Sequence, residues 1–129
     1  MMALLLALCF ASSAIAQDSR STVPLDATER EHVLAEMRGF LTLIEKATAS
    51  LARNDFDALA ALRPPSEHAR MPPGIAQKLP AAFRQLAMST HQQIDTLTAD
   101  AAKREARHSL EQTSRLLQTC NACHAAYRF

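Results

Sequence analysis

Cys120-Asn121-Ala122-Cys123-His124-Ala125-Ala126-Tyr127-Arg128-Phe129 is the stretch on which the reading of this 129-residue chain turns. Two cysteines three apart, with a histidine directly after the second, have the form of a c-type haem attachment site. On a helix, residues i and i+3 share a face, so two thiols at that spacing can reach the two vinyl groups of one porphyrin and form thioethers. His124 then offers an imidazole to the iron from the same side. Other uses of the pair fit less well. A structural zinc site needs four ligands, and past position 16 the chain has no third cysteine. A thioredoxin-like redox pair belongs in a βαβ setting, of which the sequence gives no sign. A disulfide between Cys120 and Cys123 would close a very small ring within a helix and strain its geometry.

Thioether formation to haem suits an oxidising, extracytoplasmic space, and the other end of the sequence points the same way. Ala3 to Phe10 is an apolar run, and Ala14-Ile15-Ala16 has the small-x-small form that signal peptidase cuts. Residues 1–16 are therefore expected to be a cleaved signal peptide, too short in its apolar part to span a membrane. A signal normally opens with Lys or Arg, so a start upstream of Met1 stays open. Cys9 follows the bulky Leu8, where a lipoprotein site wants a small residue, and is expected to leave with the signal. The mature chain, residues 17–129, has the length of one small domain in the periplasm.

Fourteen Lys and Arg nearly balance thirteen Asp and Glu, which argues against nucleic acid or an anionic membrane surface as partner. After the signal there are only two valines and three isoleucines among many Ala and Leu, which predicts an all-α fold. Gln17 to Leu25 is polar, contains Pro24 and reads as a mobile leader. Asp26 with Glu29 forms a capping box. From there Val33, Leu34, Met37, Leu41, Ile44 and Leu51 recur at threes and fours, predicting a long amphipathic helix to about Ala52. Asn54 with Asp57 signals a second start, with a short stripe of Phe56, Leu59, Ala60 and Leu62 that Pro64-Pro65 stops.

Arg63 to Gly74 holds four of the six prolines and reads as a loop or a broken helical stretch. A further helix is expected from Pro80, at the first helical position, with Phe83, Leu86, Ala87, Ile94 and Leu97 as its stripe. One unbroken helix from there to Tyr127 would be too long for a compact domain, so a break is expected near Thr98 to Ala102 with Asp100 as the next cap. The last helix then carries Ala106, Leu110, Leu117, Cys120, Cys123 and His124 down one side, to about Ala126. Three long helices and one short one make an antiparallel four-helix bundle the economical architecture. In it the first and last helices run oppositely, which puts Met37 near the haem end of the last.

A terminal Cys-x-x-Cys-His-x-x-Tyr-Arg in a small exported helical chain resembles the class II c-type cytochromes, the cytochrome c′ family. Cys120, Cys123, His124, Tyr127 and Arg128 match that signature residue by residue. The resemblance implies one covalently attached haem c, with His124 as the proximal iron ligand and redox proteins as partners. It also implies that Tyr127 and Arg128 pack on the haem's proximal side or screen its propionates; an ordinary fraying helix end is the alternative for both. In low-spin members a methionine on the first helix is the distal ligand and the protein is an electron carrier. In the others that side is blocked by a leucine or similar residue, and the five-coordinate iron binds NO or CO.

Met37 stands at about the matching place, nineteen residues before the pair Phe56-Asp57, which resembles the family's aromatic-Asp pair. Val33 replaces the basic residue usual four positions before the ligand, and the second helix looks truncated. Members often form homodimers through their first two helices, which the short second helix leaves open here.

Methionine is also a common core filler, so Met37 has a plain packing alternative. Met71 lies in the Pro-rich stretch and Met88 off its helix stripe. His91 beside Gln92 and Gln93 reads as a solvated surface residue, and His32, His68 and His108 are assigned no role. Lys103, Arg104 and Arg107 lie about 25 to 30 Å from His124 along the helix and read as a solvated face. With no nucleophile and base, no phosphate-cradling glycine loop and no placed carboxylate pair, an enzyme is not expected. The expected activity is single-electron transfer. A gas-binding protein is the alternative, and a haem-free thiol-disulfide module is the weaker one.

Overall fold

The computed structural model describes residues 18–64 and 72–129, so the expected signal peptide, Cys9, His68 and Met71 lie outside the described residues. The described residues are all-α, 78% of them helical, with five helices and one short strand pair. Helix α1 (Ala27–Ala52) begins at the capping box: Asp26 accepts from the Glu29 N–H at 2.9 Å and Glu29 accepts from the Asp26 N–H at 2.9 Å. It stops at Arg53, where Asn54 turns the chain with φ 53°. Asparagine tolerates that left-handed conformation, which is why it serves the turn and not the cap. The cap of α2 (Phe56–Ala61) is instead Asp55, accepting from the Ala58 N–H at 3.0 Å. The expected start signal was thus one residue out, and Asp57 pairs across the fold with Arg104 at 2.6 Å.

The Pro-rich stretch contributes α3 (Pro73–Lys78), with Pro73 in its first turn. Pro80 sits one place earlier than expected, as the cap of α4 (Ala81–Asp100). The break after α4 comes as a 3-10 turn over Ala101–Lys103 and a left-handed Arg104, φ 54°, before α5 (Ala106–Ala126). Asp100 ties this turn without capping α5: its carboxylate takes Lys103 Nζ at 2.8 Å and the His108 ring at 2.6 Å.

Three apolar clusters follow one another along the molecule. Val23, Leu25, Val33, Ile75, Leu79 and Phe83 fill one end, with Cys123, Tyr127 and Phe129 against them. Phe40, Leu43, Ile94 and Leu116 fill the middle, with Met37 and Cys120 alongside. Leu51, Phe56, Leu59 and Leu97 fill the other end beside Ala106. Helices α1 and α4 therefore run from the first cluster to the third and α5 returns, so α1 and α5 are antiparallel. Leu59 and Leu97 lose all contact with solvent, a gain of roughly 1.5–3 kcal/mol for each such side chain.

The α5 stripe differs from expectation. Its buried face is Ser109, Gln112, Thr113 and Leu116, while Leu110 and Leu117 are 53% and 40% exposed. Small hydroxyl side chains can occupy the interior because they bond back to their own helix, as Thr113 Oγ1 does to the Ser109 carbonyl at 2.9 Å.

The leader also differs. Strand β1 (Ser21–Thr22) pairs in parallel with β2 (Tyr127–Arg128), and Val23 and Leu25 are buried. Side chains two apart in an extended chain point the same way, so these two enter the core while Pro24 between them faces out. Among the described residues no helix is long and apolar enough to cross a membrane.

Candidate functional site

A cleft of about 240 Å³ opens between α1, α4 and α5 at the end where β1 and β2 meet. Helix α1 lines it with Val33, Glu36, Met37, Phe40, Leu41 and Ile44, because these recur every third or fourth residue on one side. Phe83, Leu86, Ala87 and Thr90 of α4 form its floor. Helix α5 contributes Leu117, Cys120, Asn121, Cys123 and His124, the last in its final turn and exposed.

The structure therefore brings Cys120, Cys123, His124 and Met37 to one mostly apolar cleft. Tyr127 and Arg128 are not among its lining residues. The Tyr127 ring packs edge-on to Phe83, centroids 5.2 Å apart, and Arg128 lies 3.7 Å from the Asp18 carboxylate.

Both cysteines are free thiols, half-buried, and burial pushes both above the ordinary thiol range, with Cys120 adding to the effect on Cys123. Among the described residues no group of three or more His, Cys, Asp or Glu converges as a metal site. A porphyrin asks for none, since four of its iron's ligands are its own nitrogens. The donor set fits such a group: two unjoined thiols on one helix face, an imidazole one residue on, a thioether across an apolar cleft.

Glu36 belongs to the site and was missed. Its side chain is buried in the cleft wall, and its carboxylate meets His91 Nε2 at 3.2 Å. The hydrogen bond to Glu36 raises the His91 pKa, against the opposing effect of burial. The His91 ring also stands edge-on to Phe40, centroids 5.2 Å apart. His91 is thus half-buried and bonded, not a solvated surface residue as expected. The available signal was Glu36 itself, a charge on the stripe Val33, Phe40, Leu43. Met88, by contrast, is exposed and off the cleft, as its place off the stripe implied.

The basic cluster is compensated residue by residue: Lys103 by Asp100 at 2.8 Å, Arg104 by Asp57 at 2.6 Å and Arg107 by Glu111 at 3.2 Å. Such exposed pairs are a solvated face. No protein-family model, curated protein or solved structure matches the chain.

Proposed function

We propose that this chain is an exported, periplasmic monohaem c-type cytochrome of the class II kind, built as an antiparallel four-helix bundle and carrying single electrons between redox partner proteins. In that bundle α1, α4 and α5 are the long members, and α2 with α3 stands in the place of the fourth. Bound haem supplies the one-electron Fe(III)/Fe(II) couple. Cys120 and Cys123 would tether it as thioethers, and His124 would hold the iron through its imidazole. Met37, on the opposing helix, would hold the iron through its thioether, which would favour electron transfer over gas binding. Phe40, Leu41 and Leu117 would give the bound group an apolar surround. The observation that carries the reading is the convergence of Cys120, Cys123, His124 and Met37 on one apolar cleft.

Gas binding is the second reading, and one observation favours it: Met37 also packs against the Phe40, Leu43, Ile94 and Leu116 cluster, the setting of a core filler. With Met37 held there, the bound haem would be left able to take up NO or CO. A thiol-disulfide module is disfavoured, since a bond between Cys120 and Cys123 would close a very small ring within α5 and strain its geometry.

An absorption spectrum of the reduced protein with and without CO tests all three. A methionine-ligated carrier shows haem bands that CO barely changes, an open site shows a large CO response, and a thiol module shows no haem bands. Met37→Ala should turn the first behaviour into the second; an unaltered low-spin spectrum in that variant would clear Met37 of ligation.

A further inference from the structure

Helix ends fray, because the last four carbonyls have no partner within the helix. The last turn of α5 carries both Cys123 and His124. Three grips from the segment Asp18–Leu25 hold it. Beside the pairing of Ser21 with Tyr127 and Thr22 with Arg128, the Val23 N–H donates to the Arg128 carbonyl at 2.9 Å. Arg20 Nη1 donates, at 3.5 Å, to the carbonyl of His124 itself. Asp18 in turn fixes Arg20 through contacts of 2.7 and 2.9 Å. Val23, 2% exposed, and Leu25 complete the apolar cluster against which Cys123, Tyr127 and Phe129 pack. A two-residue strand pair cannot sustain itself, so the buried Val23 is what keeps the ladder closed.

We propose that Asp18–Leu25 is a positioning strap for His124, with Val23 and Arg20 as its positioning residues: it fixes the last turn of α5 and so the placement of the imidazole against the iron. The inference rests on the haem reading of the cleft. A strap that merely tied down a terminus would affect opening of the chain ends and leave the iron's properties alone.

The test compares haem-loaded wild type with Val23→Asp and with Val23→Ile, which keeps the apolar plug. The readouts are amide exchange by peptide and the midpoint reduction potential. Val23→Asp is expected to speed exchange over 123–129 at least about tenfold while peptides from the Leu51–Leu59 end keep their rates, and to move the potential. Val23→Ile is expected to restore both. An unmoved potential overturns the proposal, whether or not exchange accelerates. Should Val23→Asp not fold, Val23→Ala gives the same two readouts with a smaller change. A chain without haem bands would refute the cytochrome reading instead, a result told apart from failure of the strap by the spectrum alone.

Discussion

His91 shows how one contact sets a pH dependence. Its pKa is raised by Glu36, so the folded protein holds the proton more tightly than the unfolded chain does. The stabilisation is full below the ordinary histidine value of about 6.5 and is lost as pH rises through the higher folded value. Melting temperature should therefore fall between pH 6 and pH 8.5 in wild type, and fall less in His91→Gln; equal falls would deny the pair this role. Ser109 makes a second residue-scale case. Among the described residues its buried Oγ has no hydrogen-bond partner. Ser109→Ala should be neutral or stabilise by about 1 kcal/mol, read by denaturant titration. Neither residue could be read from the sequence, because a polar side chain on a helix stripe declares its burial only once its neighbours are known.

At the level of elements, local chemistry was legible wherever it was self-contained. Asp26 and Glu29 need only each other, and the box formed as read. Asp26→Ala should cost about 0.5–2 kcal/mol, measured as a shift in the denaturation midpoint. Elements whose fate depends on a distant partner were not legible. Ser21 and Thr22 form a strand, and Val23 and Leu25 enter the core behind it, only because Tyr127 and Arg128 arrive beside them, a pairing more than a hundred residues away in sequence. Helix α5 likewise turned a face of Ser109, Gln112 and Thr113 inward, since the antiparallel α1 and the floor of α4 decide its rotation.

For the molecule as a whole, the motif at 120–124 and the opposed directions of α1 and α5 were enough to bring Met37 and the cysteines to one place. The cleft leaves Leu41 69% and Leu117 40% exposed at its edge. Two large apolar side chains in that position fit a site that a flat apolar group covers. A haem-free chain made by Cys120→Ser with Cys123→Ser should accordingly be less stable than the loaded protein by on the order of 2 kcal/mol or more, seen as a lower melting temperature. Covalent haem attachment is tested most directly by the intact mass of the exported chain, produced beside working haem-attachment machinery and denatured in acid. A c-type cytochrome gives the mature polypeptide plus one haem, with the increment absent from the double serine variant. The bare polypeptide mass from the wild-type chain would contradict attachment.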